Sequence, residues 1–441
     1  MSHLLTPHIG ETLPSVARAQ GIWVWDTAGR RYLDGSSGAV VVALGHGHPE
    51  VLQAMREQSE LVTYAVRAQL TNQPAERLAD RLAELAPGDL DSVFLVNSGS
   101  EAVEAAVKLA LQHWSEQGRP QKRWFISRRG SYHGATLGAL SLSGHPVRRR
   151  HIEPLLHQFP AVPQPSQYRC ESSGNCPPCD LSCADAFDAA IKTAGPHRVA
   201  GVIVEPVVGA TGGAVVAPPG YHQRLREICD RRDVLLIADE VMTGVGRCGA
   251  FLAMERWDTV PDLVVLGKGL GAGYMPVAAV LASRRVVDSI ATGSGLIITG
   301  HTYSANPLAA AVACKVVDIT IRDGLADRAR RLEPILGAAL GDLLETHPLL
   351  GDVRGLGLLW GLELVADRAS RRPFPRELMV TERFLAACVA NGLLLYPASD
   401  GVNDAVLVGP PLNVTEEELE LLVRCVDASL SALESELAPG G

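Results

Sequence analysis

The sequence lacks an apolar run long enough to cross a membrane, because charges or prolines interrupt its longest apolar stretches. It also lacks an excess of positive charge, since 40 Lys and Arg stand against 49 Asp and Glu, a net charge of −9. That balance argues against a general polyanion-binding role, so we expect neither nucleic acid nor membrane as a partner. The N-terminal stretch has neither the basic nor the apolar region of a signal peptide, and we expect a cytoplasmic protein.

Aromatic residues are few as well, at 5% of the 441 residues, but the rest of the composition is that of an ordinary globular protein. Hydrophobic residues make up 47% and charged residues 20%, which argues against a disordered or fibrous chain. The length suggests two or three domains, or one large domain with additions, and it is sufficient for a sizeable core.

Short apolar runs alternate with helix-like runs through the middle of the chain. The runs at 199–207, 233–241, 262–269 and 276–282 are rich in Val, Ile and Leu, as strands covered on both faces are. This rhythm predicts an α/β fold with a mostly parallel mixed sheet flanked by helices. Ligands of such sheets bind at the carboxyl ends of the strands, so polar residues at those ends are the first candidates for a site.

The last third of the chain has a different pattern, with helical periodicity, then a strand pair, then a helix that opens at Thr415 with Glu418 three residues on. This pattern predicts a separate small α+β domain, which a strand-like N-terminal segment joins. A proline- and cysteine-rich stretch at about 160–185 is expected to be a surface excursion. The predicted N-terminal segment, large domain and small domain cover 1–60, 61–330 and 331–441.

Two opposite charges follow neighbouring apolar strands. Asp239 ends the run "VLLIAD", and Lys268 follows "LVVLG". A buried carboxylate is costly unless it is paired, so we expect Asp239 to face a cation. The two side chains form either a simple ion pair or the two sides of a cofactor site.

Pyridoxal phosphate is a cofactor that needs such groups: a lysine for its aldehyde, an acid for its ring nitrogen and an anion cup for its phosphate. A candidate cup is present in "NSGSEAVEAAVKLA", where Ser98, Gly99 and Ser100 precede a helix. Hydroxyls and free backbone N–H groups can hold a phosphate there, at the positive end of the helix. Taken alone, these three residues would more often form a simple helix cap.

Eight segments, in order, resemble the class III aminotransferases, a family of fold type I pyridoxal phosphate enzymes. They include "NSGSEAVEAAVKLA", "SYHGATLGALSLSG", "VIVEPVVGATGG", "LLIADEVMTGVGRCGAF", "LVVLGKGLGAGYMPVAAV" and "GHTYSANPLAAAVA". Each motif alone is weak, but together they cover nearly the whole chain. The resemblance implies a large and a small domain, and a ping-pong reaction that moves an amino group from an amine or amino acid donor to a keto acid, aldehyde or ketone acceptor.

The resemblance also implies roles for single residues. Lys268 matches the Schiff-base lysine of the family, and Asp239 matches the carboxylate that keeps the ring nitrogen protonated. An apolar, desolvated site lowers the pKa of such a lysine towards the neutral amine that it needs. Tyr132 and Val241 are expected against the two faces of the ring. The further residues expected at the cofactor are Ser98, Gly99, Ser100, His133, Glu205, Gly300, His301 and Thr302.

Thr302 matches a threonine that reaches the cofactor phosphate of the partner subunit, so the resemblance implies a homodimer with shared active sites. Glu205 and Arg247 match family positions, but a buried structural network explains them equally well. His133 is either a cofactor neighbour or a packed histidine.

The substrate-binding positions depart from the family pattern. Members that act on ornithine-type substrates often carry an arginine three positions before the paired prolines, where this chain has Leu407. Such members can also carry a glutamate at the position of Ala210. If a keto acid is bound, another group must therefore hold its carboxylate. Arg67 is either that group or an ordinary surface arginine. Tyr64 and Tyr132 are further candidates for substrate contact.

Four of the nine cysteines are clustered, and their number and spacing suit a tetrahedral zinc thiolate site. Reduced loop thiols, a disulfide and an iron–sulfur cluster are the alternatives. Zinc is therefore a possible second cofactor. The clustered residues are Cys170, Cys176, Cys179 and Cys183.

Other functions remain open at this stage. A 2,1-aminomutase, an epimerase or a decarboxylase would use the same lysine and carboxylate and differ in which bond at Cα breaks. An oxidoreductase is less consistent, because proline and strand-like residues rather than a helix follow "GKGLGA". A non-catalytic binding protein on this fold would be expected to lose Lys268 or Asp239, and both are present.

Overall fold

A computed structural model of the chain describes residues 3–6, 9–10, 13–172 and 179–438. Its largest sheet has seven strands, and four of the six pairings between neighbours are parallel. The predicted mostly parallel mixed sheet is thereby confirmed. In spatial order its strands are Ser92–Val96, Ala278–Ala282, Leu263–Leu266, Leu235–Asp239, Val199–Val204, Trp124–Arg128 and Ala161–Val162.

Both faces of this sheet are covered, which explains why its central strands are continuous apolar runs. Every residue of Val199–Val204 and of Leu235–Asp239 is buried. Ile203 and Ile237 pack in a core with the helix Gly99–Glu116, while their sequence neighbours pack in the core on the other face. Burial of each such side chain stabilises the fold by about 1.5–3 kcal/mol.

The α-helices alternate with these strands along the middle of the chain and continue into its C-terminal part. No helix of the described ranges is both long and apolar enough to span a membrane. The α-helices are Ser37–Val40, Pro49–Ser59, Gln73–Leu85, Gly99–Glu116, Leu137–Leu142, Pro146–Arg149, Ser182–Ala194, Tyr221–Arg232, Arg284–Thr292, Pro307–Arg322, Leu325–Gly341, Leu343–Thr346, Val380–Ala390 and Glu416–Leu437. Short 3₁₀ turns occur at Glu153–Leu155, Ala253–Trp257, Lys268–Leu270 and Arg376–Leu378.

The C-terminal part contains a second sheet, and the N-terminal strands form a third sheet with one of its segments. Leu33 pairs with Leu393, so backbone hydrogen bonds join the N-terminal strands to the C-terminal part of the chain. The exact domain boundaries stay a prediction. The second sheet comprises Leu350–Leu356, Leu359–Leu364, Asp404–Val408 and Tyr396–Pro397, and the third Val16–Gln20, Trp23–Asp26, Arg31–Asp34 and Leu393–Leu394. A two-stranded sheet of Val207–Val208 and Val215–Val216 completes the strands.

The C-terminal helix begins as its sequence predicts. The Thr415 hydroxyl accepts a hydrogen bond from the Glu418 backbone N–H at 3.2 Å, and the Glu418 carboxylate accepts one from the Thr415 N–H at 2.9 Å. This reciprocal capping box satisfies two N–H groups that a helix start leaves without partners.

The proline-rich stretch after residue 160 differs from the predicted surface excursion. Val162 and Ser166 are buried, and Val162 extends the seven-stranded sheet by pairing with Arg128. The Arg169 guanidinium forms an ion pair with Glu363 of the second sheet at 2.5 Å. The stretch is held between the two parts of the molecule because its charged side chains find partners there.

Candidate active site

Three charged side chains lie at, or within two residues of, the carboxyl ends of strands in the seven-stranded sheet. They are Asp239, Glu205 and Lys268. The three strands are hydrogen-bonded neighbours and run parallel, so their ends meet at one edge of the sheet. The three side chains therefore line one cavity.

This central cavity has a volume of about 190 Å³. Nine predicted cofactor residues line it: Ser98, Gly99, Ser100, Tyr132, His133, Glu205, Asp239, Val241 and Lys268. The cavity is also lined by Gly134, Val207, Ala210, Met242 and Thr243. Apart from Ala210, the sequence does not mark these residues as members of a site. Most of them could have been predicted only because they are close in sequence to residues such as Glu205 and Val241.

Asp239 is held in place at the bottom of the cavity. Its carboxylate accepts a hydrogen bond from the Nδ1 of His133 at 2.8 Å and another from the Val241 backbone N–H at 3.1 Å. The His133 backbone N–H in turn donates to the Ser143 hydroxyl at 2.8 Å. Both side chains are almost completely buried, so the carboxylate is fixed in position and paired.

Lys268 begins a 3₁₀ turn, with a φ of 39° that lies in the left-handed region. Such a conformation costs a non-glycine residue about 1 kcal/mol or more. Burial lowers the pKa of the lysine to about 8, although the negative charges of Asp239 and Glu205 oppose this shift. The neutral amine is therefore far more accessible here than on an exposed lysine, whose pKa is about 10.4.

Glu205 connects the cavity wall to two loops. Its carboxylate accepts hydrogen bonds from the Tyr132 backbone N–H at 3.1 Å and from the Gly209 backbone N–H at 3.0 Å. Burial raises the pKa of this carboxyl group above its ordinary range. Its observed contacts are those of a positioning group that holds Tyr132 against the cavity.

The helix Gly99–Glu116 points its N-terminus into the same cavity. Ser98 caps it, with the hydroxyl accepting from the Glu101 backbone N–H at 3.2 Å. The Ser100 hydroxyl accepts from the Ala135 backbone N–H at 3.0 Å. The N–H groups of the first helical residues have no intrahelical partner, and they lie at the positive end of the helix dipole.

These groups fit pyridoxal phosphate. A Cβ atom added to Gly99 would lie 2.9 Å from Cγ1 of Val241, so only glycine leaves the helix start this close to the opposite wall. The buried Nε2 of His133 has no hydrogen-bond partner among the described residues. Amine, carboxylate and anion cup are thus present together, which is the donor set that this cofactor requires.

Five predicted site residues lie together elsewhere. The Arg67 guanidinium donates to the Thr299 carbonyl at 2.9 Å, and the Tyr64 hydroxyl donates to the Thr302 carbonyl at 3.0 Å. Nδ1 of His301 lies 3.9 Å from a carboxylate oxygen of Glu101, so this group contacts the first turn of the helix Gly99–Glu116. In the described parts of the chain, none of Arg67, Tyr64, Gly300, His301 and Thr302 lines the central cavity.

Arg247 and Leu407 have structural surroundings. Arg247 is buried and donates to the carbonyls of Leu358 and Pro410, the first at 3.0 Å. Leu407 is completely buried, and it shares an apolar cluster with Ala210. The position where ornithine-type members carry an arginine is therefore a packed apolar one in this chain.

The cysteine cluster is described in part, because Cys176 lies outside the described residues. Burial raises the pKa of the Cys183 thiol to about 12, and charges on Cys179 and Cys170 act in the same direction. Within the described ranges, no group of three or more His, Cys, Asp or Glu residues is arranged to hold a metal. The zinc site stays a prediction, which elemental analysis of the purified protein would test.

Comparison with known proteins identifies relatives along the whole chain. The sequence profile of the family "Aminotransferase class-III" matches residues 7–430. The uncharacterized aminotransferase YodT of Bacillus subtilis is 43% identical over 440 residues, which cover 99% of both chains. An (S)-enantioselective omega-transaminase of Thermomicrobium roseum superposes with a TM-score of 0.92 at 34% identity, over 98% of this chain and 96% of the other.

A second solved structure bears on the cofactor. An amine transaminase from an uncultivated Pseudomonas species, determined in its PLP-bound form, superposes with a TM-score of 0.92 at 33% identity. The match covers 98% of this chain and 99% of the other. None of these three proteins is named as a mutase, an epimerase or a decarboxylase. The chain belongs to the class III aminotransferases, and it is a fold type I enzyme that transfers amino groups with pyridoxal phosphate.

Proposed function

We propose that Lys268 is the residue that binds the cofactor covalently in this aminotransferase, and that it transfers the proton of the reaction. Pyridoxal phosphate, when bound, supplies an aldehyde that condenses with amines and a ring that accepts electrons. One observation supports this proposal above others: Lys268, Asp239 and the start of the helix Gly99–Glu116 line a single cavity.

Lys268 has two roles in this proposal. Its amine would hold the cofactor only in the neutral form, and a pKa of about 8 makes that form accessible near neutral pH. During the reaction, Nζ of Lys268 would take a proton from the substrate Cα and would later return it. Donor and acceptor react one after the other at the same site, which is a ping-pong sequence.

In this proposal, Asp239 would keep the ring nitrogen of a bound cofactor protonated. The hydrogen bond from His133 and the bond from the Val241 N–H support it, because they hold the carboxylate towards the cavity. His133 is then a positioning residue, and Glu205 positions Tyr132 in the same sense. Tyr132 and Val241 line the same cavity and would contact the cofactor ring.

The phosphate is held by Ser98, Gly99 and Ser100 at the start of the helix Gly99–Glu116. The support is the combination of two hydroxyls, free N–H groups and the positive end of an 18-residue helix. Charge-assisted hydrogen bonds of this kind are stronger than neutral ones.

The second group of site residues supports a homodimer. Arg67, Tyr64 and 300–302 are exposed or partly exposed, and they lie outside the cavity of their own subunit. Large apolar side chains surround them, with Leu61, Leu70 and Tyr303 each exposing more than 60% of their surface. An exposed apolar patch beside polar site residues favours an interface in which Thr302 reaches the phosphate of the partner subunit.

Replacement of the lysine tests the central assignment. We expect Lys268→Ala to lose turnover and the absorbance near the visible edge that arises from the bond between lysine and cofactor. Lys108→Ala is the matched control, because Lys108 is an exposed lysine on a neighbouring helix. Full turnover by Lys268→Ala would refute the assignment.

Mixed dimers test the shared site. Thr302→Ala is expected to weaken cofactor binding about 10-fold, through the loss of a hydrogen bond to a charged group. A dimer with one Lys268→Ala subunit and one Thr302→Ala subunit would have one doubly altered site and one intact site. Cofactor affinity like that of the wild type in half of the sites is the expected result. Uniformly weak binding, or a monomer in solution, would contradict the shared site.

A cytoplasmic location is still a prediction from the sequence. Cell fractionation with an antibody against the protein tests it.

A further inference from the structure

A substrate carboxylate needs a cation near the cavity, and the usual family position does not provide one. Leu407 is buried in an apolar cluster. Arg67, the candidate from the sequence, donates to the Thr299 carbonyl and lies outside the cavity of its own subunit. Another arginine, Arg148, lies beside the wall of the central cavity.

Arg148 lies on the short helix Pro146–Arg149, directly above a residue of the cavity wall. Its guanidinium carbon is 4.6 Å from the centre of the Tyr132 ring. The side chain is exposed, and in the described ranges no carboxylate lies within ion-pair distance of it. A guanidinium that stacks on an aromatic ring keeps its hydrogen-bond donors free at its edge.

The adjacent arginine has the opposite character. The Arg149 guanidinium donates to Glu153 at 3.0 Å and to the carbonyls of Leu140 and Ser143 at 3.0 and 2.9 Å. All of these acceptors belong to the same part of the chain, so Arg149 stabilises the fold locally. The Arg148 guanidinium makes no such hydrogen bonds among the described residues, so its N–H groups are available to a ligand.

Arg148 also lines a second, larger cavity of about 700 Å³. Ala210 lines both this cavity and the central one, so the two adjoin. Tyr132 lines the central cavity, and Arg148 contacts its ring and lines the outer cavity. The guanidinium thus lies close to the place where the two cavities adjoin.

The charge of Arg148 reaches the reacting groups. It contributes to the lowered pKa of Lys268, after burial as the main cause, and it opposes the raised pKa of Tyr132. An anion bound to Arg148 would consequently be within electrostatic range of the lysine. Arg376 also lines the outer cavity and is a second cation that such an anion would meet.

We propose that Arg148 binds the carboxylate of the substrate. The substrates of the enzyme then include amino acids and keto acids, and not only simple amines. This assignment rests on the proposed function, since it concerns the substrate of the same site. The carboxylate accepts paired hydrogen bonds from the guanidinium above Tyr132, and the carbon that carries the amino or keto group points towards Lys268.

The test compares acids with uncharged substrates in the holoenzyme. The acids are alanine, β-alanine, γ-aminobutyrate and pyruvate, and the uncharged probes are butylamine and propanal. Each half-reaction is followed through the cofactor spectrum in wild type, Arg148→Gln, Arg148→Lys and Arg150→Gln. Arg150 is the matched control, because it is an exposed arginine two residues further on that lines neither the central cavity nor the outer one.

Arg148→Gln is expected to raise KM for the acids about 10- to 100-fold, because a charge-assisted pair of hydrogen bonds is lost. The KM values for butylamine and propanal should change by no more than about twofold. Arg148→Lys keeps the charge without the paired donors and is expected to fall between. Arg150→Gln should behave like wild type. Cofactor content and circular dichroism of each variant establish that it has folded.

Three outcomes would overturn the assignment and leave the proposed function intact. They are unchanged KM values for the acids in Arg148→Gln, equal losses for acids and uncharged probes, and a wild-type enzyme that accepts amines and aldehydes but none of the acids. A wild-type enzyme that transaminates none of the probes would contradict the proposed function itself, and the assignment of Arg148 with it.

Discussion

The floor of the central cavity and its surroundings are built in different ways. The floor consists of Asp239, His133 and Glu205, which are buried and hydrogen-bonded to several different elements. The surroundings consist of exposed side chains with few described contacts. Arg148 stacks on the Tyr132 ring, and Tyr64 contacts the Thr302 carbonyl and the Tyr303 ring. Asp239 and Glu205 lie at the ends of buried strands, whereas the residues proposed to bind a substrate or a partner subunit lie on exposed segments.

The largest effect is expected at the floor. Asp239→Asn keeps the shape of the side chain but removes the charge that we propose holds the ring nitrogen protonated, and we expect activity to fall about 100-fold or more. Steady-state rates at saturating cofactor measure this change, with the exposed Asp80→Asn as control. A loss of activity of less than about threefold would mean that the floor of the cavity is no more sensitive to substitution than its surroundings.

The burial of Lys268 predicts how the enzyme without cofactor responds to pH. Its pKa is lowered from 10.5 to about 8, so the neutral fraction grows about tenfold per pH unit below pH 8 and levels off above it. The rate at which the cofactor-free enzyme recombines with pyridoxal phosphate should follow this curve in stopped-flow absorbance. A rate that still climbs steeply beyond pH 9 would mean that the amine behaves like an exposed lysine.

A smaller effect is expected from crowding the anion cup. Gly99→Ala adds a Cβ atom 2.9 Å from Cγ1 of Val241, and we expect the Kd for pyridoxal phosphate to rise about 10-fold. Gly341→Ala is the control, since an added Cβ there has no neighbour within 4 Å. Unchanged cofactor binding in Gly99→Ala would show that the cup adapts as freely as an exposed segment does.

The smallest effect is expected outside the floor. Tyr64→Phe removes the hydrogen bond from the hydroxyl to the Thr302 carbonyl, and the exposed site should limit the change in cofactor Kd to about twofold. Titration of the cofactor-free enzyme measures it. A loss of cofactor affinity of tenfold or more would mean that Tyr64 is as sensitive to substitution as the residues of the cavity floor, which would contradict the difference between the two regions.

Much of the floor could be predicted from the sequence, for a physical reason. Strands covered on both faces are continuous apolar runs, so Asp239 and Glu205 stand out where those runs end. The capped helix at Thr415 has an equally local signal. The resemblance to the family then supplied roles that no local signal contains.

The rest depends on contacts between distant segments. The stacking of Arg148 on Tyr132 joins a four-residue helix to a loop, and nothing in either segment alone specifies it. The ion pair of Arg169 with Glu363 likewise spans 194 positions, and it holds a stretch whose prolines predicted a surface excursion. Val207 and Met242 line the cavity with ordinary apolar side chains, which do not differ in sequence from core residues.

Ala210 has a consequence for how the enzyme could be reshaped. Its side chain is a single methyl group, and it lies at the junction of the two cavities. A leucine at this position would partition the passage, and the enzyme would then sort its substrates by length. The same junction offers an inhibitor design, in which one molecule carries an amine for the inner chamber and an acid for the outer one.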